Sequence, residues 1–204
     1  MRISGADKAA FKVQAGIRAD LLAGAYPPGR SIVIQEEAAR FGVSQTPVRE
    51  ALAWLAGEGL IEHTPLEGWR TFELAPSELS DLYELHHICA QFAGSRVGPE
   101  YAKGLPDFPW RPDLRGWGVF DDVMERAAQG AVLRVYRTVR DQLQWLRGLE
   151  HTLLKDQVQE RHVMVAAENG DWQAYAELTR AYHHRRQERV NEIALMARRW
   201  SADD

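Results

Sequence analysis

Apolar positions recur at helical spacing in both halves of the chain and lose that order near its middle. Over residues 9–23, Val13, Ile17, Leu21 and Leu22 fall on one side of a 3.6-residue repeat, which predicts an amphipathic helix. Tyr26-Pro27-Pro28-Gly29 ends it, because consecutive prolines cannot continue a helix. Ile32-Val33-Ile34 is a β-branched run and reads as a short strand. A second helix is expected over residues 36–41, stopping at Gly42, since glycine takes the positive φ of a helix end without cost. Ser44 reads as the N-cap of a third helix that runs to about Gly57. Pro47 sits in its first turn, and Val48, Leu52 and Leu55 form its apolar face. Gln45, Arg49 and Trp54 lie off that face. Strand-like residues 60–63 and 69–72 flank Pro65-Leu66-Glu67-Gly68 and predict a β-hairpin.

From Pro76 the pattern becomes helical throughout. Ser77-Glu78 resembles a helix start, and Leu82, Leu85, Ile88, Cys89 and Phe92 form the expected inward stripe. Residues 98–120 break the pattern with Pro106, Pro109, Pro112, Gly98, Gly104, Gly116 and Gly118. An irregular loop anchored by Phe108, Trp110 and Trp117 is expected there. Further helices are expected over residues 121–128, 132–154, 156–169 and 172–200. Gly170 stops the third of these and Asp171 caps the fourth. The fold class is therefore mainly α. Residues 1–75 form a winged helix-turn-helix with a small β-hairpin wing, and residues 76–204 form an all-α helical bundle.

Composition narrows this only slightly. An apolar fraction of 45% and a charged fraction of 26% over 204 residues are those of an ordinary globular protein. Cys89 is the single cysteine, so no intrachain disulfide can form, and it reads as a small buried hydrophobe. There is no signal-peptide-like apolar segment and no run of membrane-spanning length, which points to a cytoplasmic protein without a membrane partner. The net charge of −4 changes the picture more. Residues 1–75 carry eight basic side chains against nine acidic ones, so any nucleic-acid binding depends on local placement and dimerisation, not bulk charge. No Ser-His-Asp set in motif context, phosphate-binding glycine loop or HExxH is present, and the chain does not read as an enzyme.

The stretches "YPPGRSI" and "EEAARFGVSQTPVREALAWLAGEGLIE", with the hairpin at Gly68, carry a closer likeness. Residues 9–74 resemble the winged-helix domain of the GntR family of bacterial transcription regulators. The resemblance implies a homodimeric regulator, a repressor in the first instance, that reads a near-palindromic double-stranded operator. Its third helix would enter the major groove. By the same resemblance Ser44 and Thr46 are phosphate anchors, Arg49 is the main charged contact, and Gly68 lets the wing tip approach the minor groove. Gln45 and Gln35 stand where relatives carry basic contacts. Gln45 would favour adenine, through N6 and N7, over the guanine that an arginine reads. Trp54 and Trp69 read as packing residues.

Downstream, "APSELSDLYELHHICAQFAG" and "AAENGDWQAYAELTRAYHH" resemble the helical FCD effector domain of the FadR-type subfamily, in a divergent form. That resemblance implies dimerisation and a small effector, either a carboxylate or an acyl-CoA-like molecule. It also implies a divalent metal such as zinc, nickel or manganese, held by one Asp and three His. Counted along the family pattern, those positions fall on Asp121, Glu125, Glu160 and the neighbourhood of Tyr182, so all three histidines are substituted. A rebuilt site could use Asp121, Glu125, Glu160 and His183. His162 points away from Glu160, and His86 and His87, being adjacent, point to different sides of their helix. The alternative is an effector-independent regulator whose shortened helical domain serves only dimerisation or partner binding.

Overall fold

A computed structural model describes residues 5–73, 75–97, 118–155 and 157–200. Its elements in chain order are α1 (Gly5–Ala23), α2 (Ile34–Phe41), α3 (Gln45–Gly57), β1 (Glu62–Thr64), β2 (Gly68–Arg70), α4 (Pro76–Arg96), α5 (Gly118–Ala127), α6 (Ala131–Gln144), α7 (Arg147–Leu154), α8 (Gln157–Glu168), α9 (Trp172–Glu188) and α10 (Val190–Trp200). The chain divides between Leu74 and Ala75 into two units, with the end of α10 from Ala197 grouped with the first. The expected loop with Phe108, Trp110 and Trp117 lies outside the described residues, as does position 156.

In the first unit α1 packs on α3. Val13, Ile17 and Leu21 meet Val48, Ala51, Leu52 and Leu55, and Ile32, Leu60 and Ile61 belong to the same core. Full burial of a side chain such as Leu52 contributes roughly 1.5–3 kcal/mol. Gly42 at φ 66° returns its backbone N–H to Ala38 and Ala39, and Gly42-Val43-Ser44 turns the chain from α2 into α3. The antiparallel hairpin pairs Glu62 with Arg70 and Thr64 with Gly68. Ile32-Val33-Ile34 does not form the expected strand. Only Ser31 bridges to Arg70, and Ile34 already belongs to α2. The β-branched run is too short to pair further: Ile32 N–H reaches Trp69 O at 2.8 Å, and then helix formation takes over.

In the second unit α4 and α9 pack together, α8 lies on α9, and α5 and α6 lie on α4. Glu78 accepts the Ala75 N–H at 3.0 Å and fixes the start of α4. The buried face of α4 differs from the apolar stripe expected there. Leu79, Tyr83, His86, Ala90 and Ala93 are inside, whereas Leu85 is 37% and Ile88 53% exposed. The cause is polar: Tyr83 and His86 find buried partners on α7 and α9. The long helices expected over residues 132–154 and 172–200 are each broken, at Trp145-Leu146 and at Arg189. The first break leaves Arg147 and Glu150 of α7 facing inward. The Gly170 stop and Asp171 cap appear as expected, with Gly170 at φ 68° and Asp171 accepting the Ala174 N–H at 3.0 Å.

Candidate nucleic-acid interface and a charged core

The first turn of α3 carries the expected recognition residues on its solvent side. Gln45, Thr46 and Arg49 are exposed, while Pro47 and Val48 are buried and hold the turn against the core. Gln45 and Arg49 are one turn apart, and an Arg49 Nη2–H points at Gln45 Oε1 at 3.4 Å. Ser44 occupies the N-cap position with extended backbone, but its hydroxyl makes no capping bond. That corrects the simple cap reading. It leaves an exposed hydroxyl beside the first-turn N–H groups, where the helix dipole favours an anion. Gln35 is exposed at the start of α2.

The arginines around this face are mostly neutralised by carboxylates. Arg40 donates to Glu37 at 2.8 Å and to Asp20 at 2.5 Å, and the same cluster holds the Tyr26 hydroxyl, 2.6 Å from Glu37. Burial, then the bond to Glu37, pushes the Tyr26 phenol well up. Arg18 pairs with Glu58, which also accepts from Gln14 at 3.0 Å, tying α1 to the end of α3. Arg30 lies over the Tyr26 ring.

On the wing, Arg70 is surrounded by Glu62 at 3.1 Å, Glu67 at 2.5 Å and Glu73 at 3.6 Å. This acidic enclosure went unread in the sequence, although Glu62, Glu67 and Glu73 were visible around Arg70. Gly68 has φ 74°, and a Cβ there would meet nothing within 4 Å. Its requirement is therefore conformational, not steric. Leu66, at the tip, is 99% exposed. Trp69 packs against the core as expected, with the His63 ring tilted against it at 4.3 Å, but Trp54 is 45% exposed and is not a packing residue.

The residues considered for a metal or effector do not converge. Asp121 accepts from the Tyr136 hydroxyl at 2.8 Å and from Arg140 at 3.1 Å. Glu125 is exposed and pairs with Arg137 at 3.1 Å. Glu160 accepts from Arg147 and, at 3.2 Å, from the Tyr182 hydroxyl. His183 is fully buried, with its Nε2 2.7 Å from His86 Nδ1 and its Nδ1 on the Thr179 carbonyl. Among the described residues no group of three or more His, Cys, Asp or Glu side chains is placed to hold a metal ion. The four candidates do not fit one. The sequence reading also missed Arg147 and Arg186, both buried, and Glu150, fully buried between them. Their charges lie on helices with ample exposed charge of their own, so only the fold distinguishes them.

Comparison with known proteins adds the following. Residues 10–70 match the family described as bacterial regulatory proteins, gntR family. The chain is 32% identical over 120 residues to an uncharacterized HTH-type transcriptional regulator from the TAR-I ttuE-ttuC′ intergenic region of Agrobacterium vitis. That match spans 52% of this chain and 70% of the relative. It is 31% identical over 127 residues to the "Probable D-xylose utilization operon transcriptional repressor" of Paenarthrobacter nicotinovorans, spanning 62% of this chain but only 52% of that one. In fold it is similar to a GntR crystal structure from Rhodococcus sp. RHA1, with a TM-score of 0.72 at 14% identity over 90% of this chain and 97% of the other. It is also similar to E. coli McbR/YncC, with a TM-score of 0.65 at 14% identity over 94% and 99%. No helix among the described residues is long and apolar enough to cross a membrane.

Proposed function

Because the chain belongs to the GntR family of bacterial transcription regulators and is not an enzyme, we propose that it represses transcription as a homodimer bound to a near-palindromic operator. The observation that carries this reading is the first turn of α3. Arg49 and Gln45 project side by side into solvent there, with Ser44 and Thr46 flanking them, while Arg18, Arg40 and Arg70 are engaged by carboxylates. Each protomer then places one recognition turn in a major groove, and two-fold symmetry matches the two half-sites. Arg49 supplies the charged contact, Gln45 reads adenine, Ser44 and Thr46 hold phosphate, and Gln35 is a neutral neighbour of the backbone. The acidic wing approaches the minor groove through Gly68.

The helical unit is of the FCD type in a divergent form, and it supplies dimerisation and a small-molecule response. Support for a subunit contact comes from α4, whose Leu85 and Ile88 are exposed on the face opposite its buried stripe. The effector is a small carboxylate or acyl-CoA-like molecule. Selection of bound DNA from a random pool, followed by gel shift with wild type and Arg49→Ala, tests the DNA reading. Retention of full affinity by a folded Arg49→Ala variant overturns it. Thermal shift against small acids and acyl-CoAs tests the effector, since a ligand of the native state raises the melting temperature. If none does, the regulator is effector-independent and its helical unit only dimerises.

A further inference from the structure

Two of the positions at which the family resemblance implies metal-binding histidines, Glu160 and Tyr182, hold an arginine between them instead. We propose that the helical unit is built around an internal guanidinium in place of a divalent metal, with Arg147 as the cation that joins α7, α8 and α9. The Arg147 side chain is 3% exposed. One of its Nη groups donates to Glu160 on α8, and the other donates to the Tyr182 hydroxyl on α9 and to Glu150 at 3.0 Å. Arg186, fully buried, braces the same centre. Its Nε donates to Glu150 at 3.1 Å, its Nη1 to the Tyr182 carbonyl at 3.1 Å, and its Cζ lies 3.5 Å from the Tyr182 ring centroid. Tyr83 of α4 completes the Glu150 carboxylate at 2.6 Å.

Three features make this arrangement exclusive of a metal. A guanidinium has donors only and keeps its proton, so Arg147 cannot become a ligand and must leave for Glu160 to turn to an ion. Among the described residues Arg147 and Arg186 pair with Glu150 and Glu160, so a dication there would face two buried positive charges. Burial also keeps the Tyr182 phenol protonated, which removes it as an anionic ligand. The remaining family positions are committed elsewhere, Asp121 to Tyr136 and Arg140 and Glu125 to Arg137. What a shared metal does by bonding several helices at one point, the fork of Arg147 does by hydrogen bonds.

The test uses the full chain and reads metal content and melting temperature. The protein is purified, dialysed against EDTA, and then incubated separately with zinc, nickel or manganese. The expected result is bound metal far below one ion per chain after desalting, and a melting temperature unchanged by EDTA or by any of the three ions. One tightly held ion per chain, or a melting temperature that EDTA lowers by several degrees, would overturn the proposal. Arg147→Met should melt lower than wild type and not recover with added metal, while Arg147→Lys should recover part of the loss. Wild-type melting by Arg147→Met would equally contradict it. If that variant does not fold, the chelation result on the wild-type chain decides alone. None of these readouts involves DNA, so the outcome is independent of operator binding.

Discussion

His86 Nδ1 lies 2.7 Å from His183 Nε2, a fully buried contact that joins α4 to α9. The second His183 nitrogen, Nδ1, lies 2.7 Å from the Thr179 carbonyl and must donate to it. Nε2 is then the acceptor, and His86 donates through Nδ1. This assignment needs a neutral His183, whereas His86 donates in either state and is kept neutral by its burial.

A pH dependence follows. Burial first, then mutual repulsion and the charges of Arg147, Arg186 and Arg140, hold His86 well below the ordinary histidine range. Burial does the same for His183, with Arg186, His87 and Arg147 adding to it against the Thr179 bond. Tyr83, Tyr136 and Tyr182 stay neutral and Glu150 ionised across this range. With folded values below the unfolded value of about 6.5, stability is complete above about pH 6.5 and is lost as pH falls from there toward the folded values. Thermal melts should show a loss on the order of 1–3 kcal/mol between pH 7 and 5.5, and His183→Gln should flatten that slope. Equal melting temperatures at both pH values would contradict neutral burial. Glu150, with its value depressed, adds acid lability only below the ordinary carboxylate range.

Close packing gives a second prediction. A Cβ at Gly94 would sit 2.8 Å from Cδ1 and Cε1 of buried Tyr175, whereas at Gly57 it would meet nothing within 4 Å. Replacing a helical glycine with alanine gains up to about 1 kcal/mol, but overpacking costs about 1–3 kcal/mol. Gly94→Ala should therefore lower the melting temperature, and Gly57→Ala should leave it unchanged or raise it. Denaturant titration of the two variants checks the sign.

The wing provides a third. Arg70 is enclosed by Glu62, Glu67 and Glu73, which leaves acidic the hairpin that the proposed DNA reading brings near phosphate. Glu67→Gln should tighten operator binding several-fold at low salt, and the gain should shrink as salt rises. Fluorescence titration at two salt concentrations measures it. Unchanged affinity at low salt would place the wing away from the backbone.

Base preference is the fourth. Gln45→Arg should move the selected base at one half-site position from adenine to guanine, a discrimination of about 1–3 kcal/mol. Pool selection with both proteins reads this directly. Identical selected sites would remove Gln45 from the readout.

The elements that were legible in the sequence are those set by local chemistry. Gly42, Gly170 and Asp171 mark helix ends through backbone conformation and capping, and the Val48-Leu52-Leu55 face requires no distant partner to be recognised. Ile32-Val33-Ile34 misled because β-propensity describes a residue's fit to a sheet, and here only one bridge of sheet reaches it. The α4 stripe misled for the opposite reason. Periodicity ranks Leu85 and Ile88 above Tyr83 and His86, yet Tyr83 and His86 find partners 67 and 97 residues away that no local window contains. The Arg147-Glu150-Arg186 centre is hidden in the same way.

The most direct test of the central claim is the affinity of Arg49→Ala for the selected operator, measured beside wild type with the melting curve of each. Arg49 is exposed, and among the described residues its one hydrogen bond is to Gln45 at 3.4 Å, so its removal should leave the fold intact. The account predicts an unchanged melting temperature with operator binding lost, and with the salt dependence of any residual binding reduced by about one phosphate contact per protomer. A variant that melts like wild type and shifts the operator with wild-type affinity would contradict it.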